Sequence, residues 1–186
     1  GSKDFALMMV GEKLRVVLAT LHVSLQEVSG LLNKSLVEKT IRLTHDWLVR
    51  HIKSNPKIAV TGLNPHCGDS EIFGQEESLV IDPVIEYMRN EGIDVEGPFP
   101  ADSLFVPKRH SKYDAVVAMY HDQGLIPVKM ESQGCAVNLT LGLPIIRTSV
   151  DHGTAYDIAG KGIASPDSMI AALRTAAKLS ISSPVP

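Results

Sequence analysis

Three apolar, β-branched runs constrain this chain more than any other feature: "LRVVLATLHV" at residues 14–23, "KIAVT" at 57–61 and "YDAVVAM" at 113–119. None shows a sustained apolar/polar alternation, the pattern of strands covered on both faces. Between the first two, Ser24 with Glu27 and Ser35 with Glu38 have the spacing of helix-opening capping boxes. Val37, Ile41, Leu48 and Ile52 then recur at helical spacing up to Asn55-Pro56. A second helical segment runs from about Glu76 to Asn90, kinked or restarted at Pro83, with Gly92 placed as the residue beyond its end. Ala136–Thr140 and Pro144–Thr148 read as further short strands, and Ser165-Pro166 opens a last helix with a cap and a proline in its first turn. Strands alternating with helices predict an α/β fold: a three-layer α/β/α arrangement around a parallel-rich sheet.

The chain has 186 residues and a net charge of −3 without any Lys/Arg run, which gives no electrostatic reason to expect nucleic acid or an anionic membrane surface as a partner. No apolar stretch approaches the length of a membrane span and no signal-peptide layout opens the chain, so a cytoplasmic protein acting on small molecules is expected. Cys67 and Cys135 make no disulfide framework and read as free thiols. Gly1-Ser2 reads as a cloning scar, residues 3–150 as the main α/β domain, and 151–186 as a glycine-rich loop with the terminal helix.

In open parallel sheets ligands bind beyond the carboxyl ends of the strands. His22, His66 and His121 each lie at or just past such an end. Singly, each is an ordinary turn residue; together, three imidazoles with an open position can hold Zn²⁺ or a similar divalent ion as a Lewis acid. His45, His51 and His110 read as solvated. Lys129 is either a snorkelling surface lysine or an anion contact and acid/base group near such a metal. Asn138 and Arg147 interrupt apolar strands and need partners; Arg147 suits a phosphate or carboxylate, or else an ion pair with Asp151 or Asp157. Asp102 is either a helix cap for residues 103–106 or a catalytic carboxylate, and with Asp122 it is a candidate partner for Lys129 in proton transfer. Neither a GxGxxG nor a GxxxxGK[ST] motif occurs. In "DHGTAYDIAGKGIASP", from Asp151 to Pro166, the glycines permit close backbone approach, and Asp157 could accept a ribose diol while repelling a 2′-phosphate. The alternative is a flexible connector.

Taken in order, "LATLHVSL", "GLNPHCGD", "GPFPADSLF", "AMYHDQGL" and "VNLTLGLPIIRTSVDHGTA" resemble the 4-hydroxythreonine-4-phosphate dehydrogenase family of vitamin B6 biosynthesis over nearly the whole chain. The resemblance implies an isocitrate/isopropylmalate dehydrogenase-like fold. It also implies an NAD- and divalent-metal-dependent enzyme (Zn, or Mg, Mn or Co) that oxidises a phosphorylated β-hydroxy acid, such as 4-phosphooxy-L-threonine, whose keto acid product loses carbon dioxide. The family's metal ligands fall on His22, His66 and His121, and its substrate contacts on Lys129, Asn138 and Arg147. The segment containing His152, Gly153, Thr154 and Asp157 is similar to the adenosine loop of isopropylmalate dehydrogenases. A homodimer with the active site near the interface is implied too. The family's N-terminal region, with a Gly/Pro-rich segment and a substrate-contacting His-Thr pair, precedes what this chain contains, so a C-terminal fragment, inactive by itself, is expected. "ESQGCAVN" departs from the usual glycine-rich approach to the asparagine, and "HDQGLIPVK" is similar to relatives acting on D-threonate or D-erythronate 4-phosphate. A non-catalytic metal- and phosphate-binding domain and a metal-dependent phosphohydrolase stand as the other readings.

Overall fold

The computed structural model describes residues 4–182. Its centre is a seven-stranded sheet of order β4-β3-β5-β2-β1-β6-β7. The strands are β1 (Ala6–Val10), β2 (Arg15–Leu18), β3 (Ile58–Thr61), β4 (Val95–Phe99), β5 (Ala115–Ala118), β6 (Val137–Leu141) and β7 (Thr148–Ser149). β2, β3, β4 and β5 pair in parallel, while β1 runs antiparallel to both β2 and β6. β6 therefore points the same way as the parallel four, which makes the sheet parallel-rich as expected.

Alternation along the strands sends side chains into two cores. Val17, Val60, Val117 and Leu139 face α2 (Lys34–His51), α3 (Asp82–Asn90) and α7 (Asp167–Ser182), where Ile41, Leu48, Ile85, Met88 and Leu179 are buried. Met9, Val16, Leu18 and Val116 face α6 (His121–Ser132) through Leu125 and Val128, with Leu104 of the short α4 (Ala101–Leu104). Two helical layers thus sandwich one sheet.

Several local signals act as expected. Ser24 precedes α1 (Leu25–Leu31), its backbone N–H donating to Glu27 Oε2 at 3.1 Å while Glu27 N–H donates to the Ser24 carbonyl at 3.0 Å. Pro83 has no amide to give, and the turn before it, Glu77–Ile81, is a π turn from which α3 restarts. α3 ends in a Schellman arrangement: Gly92 N–H donates to Arg89 O, Ile93 N–H to Met88 O, and Gly92 takes φ +86°. The Ser165 hydroxyl accepts from Asp167 N–H at the head of α7.

Other expectations are corrected. α2 is capped by Asn33, whose Oδ1 accepts from Leu36 N–H at 3.0 Å, so Ser35 lies inside the helix rather than before it. Residues 144–148 form no strand of their own beyond the two-residue β7. β1, with no β-branched residue before Val10, and β4, which contains Gly97-Pro98, lack the β-branched signature. β4 sits at the sheet edge, where a proline costs no ladder bond. α6 is also new, since Gly124 and Pro127 interrupt its pattern. An added Cβ at Gly124 would lie 2.6 Å from Val16 Cγ1 and 2.8 Å from Leu18 Cδ2, so glycine lets this helix press onto β2. His110 is 5% exposed in α5 (Pro107–His110), and the Nδ1 of the half-buried His51 is itself buried; neither is solvated, because packing outweighs the charged neighbours in their sequence.

Candidate active site

The carboxyl ends of β2 and β5 lie side by side, so the segments leaving them run together. His22, four residues past β2, and His121, the first residue of α6, bring their ring centroids to 5.4 Å. Between them opens a cleft of about 460 Å³ lined by Leu21, His22, Val23, Tyr120, His121 and Asp122 among others. His121 Nδ1 meets Asp122 Oδ1 at 2.7 Å. A carboxylate on one ring nitrogen is the usual way of orienting a metal-ligating imidazole.

His66 follows the carboxyl end of β3, in a loop anchored by a carboxylate. Glu77, 3% exposed, accepts from Leu63 N–H at 2.7 Å, Asn64 N–H at 2.8 Å and Asn64 Nδ2 at 3.0 Å. From there the chain winds with positive φ through His66, Cys67, Asp69, Ser70 and Glu71, a conformation that costs ordinary residues about 1–2 kcal/mol each. The His66 ring packs beside Phe73 at 6.4 Å. Burial, with Glu77 nearby, pushes the Cys67 thiol up to about 11, so it is an inert neutral group at physiological pH.

Among the described residues, no three His, Cys, Asp or Glu side chains form a group that could hold a metal ion. The structure brings two of the three expected histidines together and leaves the third on the neighbouring loop. Two imidazoles, one braced by a carboxylate, are donors that fit a divalent ion; the set within this chain's arrangement is incomplete.

The expected substrate contacts occupy a different part of the same face. Asn138 of β6 stands opposite Met9 and Ser149, and Thr140 N–H donates to Arg147 O, so Asn138, Thr140, Arg147 and Ser149 share the face that α6 covers further along the sheet. The buried Asn138 Oδ1 has no hydrogen-bond partner among the described residues. Arg147 Nη1 donates to Thr140 Oγ1 at 2.9 Å, and no ion pair with Asp151 or Asp157 forms among the described residues. Lys129 Nζ donates to Asp151 O at 3.0 Å, which ties α6 to the start of the glycine-rich loop. Asp151 is in turn held by Ser168, through its amide at 3.2 Å and its Oδ1 at 3.0 Å.

Asp102 lies in the first turn of α4, exposed, and does not cap a helix; Pro100 occupies that position because the helix starts at Ala101. In the loop, His152, Gly153, Thr154 and Asp157 are exposed, with His152 Nδ1 on Gly153 O at 2.9 Å. A larger cleft, about 790 Å³, lies between α2 and residues 139–146, lined by apolar groups together with Asp46, Arg50, His51 and Thr140; of the expected metal ligands, His22 and His121 line the smaller one. Sequence reasoning missed Thr20, Thr61, Glu77 and Gln123. The two threonines carried a signal, being hydroxyls inside otherwise apolar strand runs.

A family model described as pyridoxal phosphate biosynthetic protein PdxA matches residues 1–176. The chain is 56% identical over 173 residues to a 4-hydroxythreonine-4-phosphate dehydrogenase of Desulforapulum autotrophicum, covering 92% of this chain and 51% of that protein. Over 179 residues it is 52% identical to the protein of the same name from Geobacter metallireducens, covering 96% and 53%. The crystal structure of 4-hydroxythreonine-4-phosphate dehydrogenase from Klebsiella pneumoniae superposes with a TM-score of 0.88 at 43% identity, over 96% of this chain and 54% of that one. A terephthalate 1,2-cis-dihydrodiol dehydrogenase from Burkholderia xenovorans follows the same fold at TM-score 0.77 and 34% identity, over 94% and 56%. The chain thus spans about half the length of the curated relatives it matches. On this evidence it belongs to the PdxA family of pyridoxal phosphate biosynthetic proteins.

Proposed function

We propose that this chain is the metal- and substrate-binding part of an NAD-dependent dehydrogenase that oxidises a phosphorylated β-hydroxy acid, 4-phosphooxy-L-threonine, in the cytoplasm. The observation that carries the reading is the pairing of His22 with carboxylate-braced His121 in one cleft at the carboxyl edge of the sheet. His22 and His121, joined by His66, would hold the divalent ion, which when bound supplies Lewis acidity to the substrate oxygens. A bound nicotinamide would supply hydride acceptance from the carbinol carbon as the hydroxyl gives up its proton, and the β-keto acid so formed would release carbon dioxide.

The remaining roles fall to Arg147, Asn138 and Lys129. Arg147 presents a planar fork suited to the phosphate, and Asn138 has a buried oxygen without a partner. Lys129 is the candidate proton-transfer group, with Asp122 or Asp102 as its partner. Lys129 lies eight residues along α6 from His121, about 12 Å at the helical rise, so the histidine pair and the anion-binding face are separate patches of one subunit. A homodimer whose two copies oppose these patches would join them into one site. For the cofactor, Asp157 in the exposed loop supports a preference for NAD through the ribose hydroxyls. D-threonate or D-erythronate 4-phosphate is the second substrate reading, favoured by the "HDQGLIPVK" segment.

The test joins residues 3–186 to the N-terminal half of a matched relative and follows NADH absorbance with each of the three phosphorylated acids. Turnover with 4-phosphooxy-L-threonine, and a narrower NAD/NADP ratio in Asp157→Ala, are the expected results. Turnover with neither the threonine nor the tetronate phosphates would refute the reading.

A further inference from the structure

The three segments that carry His22, His66 and His121 leave three neighbouring strand ends, and one polar relay connects those ends. The Met119 carbonyl, fully buried past β5, accepts from both Thr20 N–H at 3.1 Å and Thr20 Oγ1 at 2.8 Å, which fixes the end of β2 two residues before His22. The Met119 N–H donates to Gln123 Oε1 at 2.7 Å. The same oxygen accepts from the buried Thr61 Oγ1 at 2.7 Å, and Gln123 Nε2 donates to Gly62 O at 2.8 Å. The amide's orientation follows from its partners: an N–H needs the oxygen, and a carbonyl needs the nitrogen. Gln123 stands two residues after His121 in the first turn of α6, and Gly62 stands four residues before His66. We propose that Gln123 is a positioning residue that sets the helix start bearing His121 against the strand end leading to His66, and so fixes the relative placement of the metal donors. This rests on the metal reading above.

No other side chain type makes this set of bonds. Methionine has nearly the same shape and none of the polar groups, while a glutamate carboxylate keeps the two acceptor bonds and loses the donation to Gly62. The experiment uses the 186-residue chain, with Co²⁺ alone as the probe, titrated by its visible absorption, and amide hydrogen exchange on the metal-free protein. Gln123→Met is expected to bind Co²⁺ at least tenfold more weakly, with an altered band shape, and to exchange faster at Met119 and across 62–68. Gln123→Glu is expected to loosen 62–68 while Met119 stays protected, and it carries the test if the methionine variant does not fold. Thr44→Val, which removes a buried hydroxyl bond in α2 away from the clamp, should leave the Co²⁺ spectrum and affinity as they are. Unchanged Co²⁺ affinity and spectrum in a Gln123 variant, or unchanged exchange at 62–68, would overturn the proposal. Absence of Co²⁺ uptake by the wild-type chain would overturn the metal reading by itself, and the exchange comparison would still decide the clamp.

Discussion

His110 shows how a residue's environment departs from its neighbourhood in sequence. It follows Lys108 and Arg109, yet the single turn of α5 carries it inward, and its Nδ1 lacks a partner among the described residues. Burial holds its pKa below the ordinary value of 6.5, with Glu131 opposing the shift only in part. The unfolded chain therefore binds a proton more readily than the native one. Its contribution to stability is complete above pH 6.5 and is lost as pH falls from there toward the depressed native pKa. His51 acts with the same sign, chiefly through burial and secondarily through Arg50. Urea denaturation at pH 7.5 and 5.5 should show a larger fall in midpoint for the wild type than for His110→Leu; equal falls would show that His110 does not contribute. At this scale the sequence made His22, His66 and His121 stand out, because each lies at or a few residues past the end of an apolar run. It could not reveal His110, which is buried where the single turn of α5 packs, nor Gln123, two of whose three partners, Thr61 and Gly62, come from about 60 residues away.

Among the elements, α6 is held to β2 by the absence of a side chain. A methyl group at position 124 would fall within 3 Å of Val16 and Leu18, both fully buried in the strand behind it. Gly124→Ala is therefore expected to destabilise by about 1–3 kcal/mol, the usual cost of overpacking, even though alanine is the better helix former. A gain in stability would mean the helix can lift off the sheet freely, and the account of this contact would be wrong. The central strands β2, β3 and β5 and helices α2 and α3 were legible because β-branched runs and helical spacing coincide with burial. β1, β4 and α6 were not, for reasons of composition: methionine and alanine in the first, a Gly-Pro pair in the second, and Gly124 with Pro127 in the third. In each, tertiary packing overrides weak local preference.

For the molecule as a whole, sheet direction is the link between fold and chemistry. Five strands point one way, so the segments after β2, β3 and β5 deliver His22, His66 and His121 to one edge, while the face of β6 and β7 displays Asn138 and Arg147. The edge was legible from the sequence; the separation of the histidine pair from Asn138 and Arg147 was not, since it depends on the length of α6 and on β1 lying between β2 and β6. Among the described residues no helix is long and apolar enough to cross a membrane. The metal site proposed at the sheet edge is the point on which the dehydrogenase reading turns. Plasma emission after exhaustive dialysis, applied to the 186-residue chain and to its His22→Ala, His121→Ala and His66→Ala variants, tests it most directly. A metal site here means a stoichiometric divalent ion in the wild type and its loss in His22→Ala and His121→Ala, with a weaker site in His66→Ala; full retention of metal in both His22→Ala and His121→Ala would rule it out.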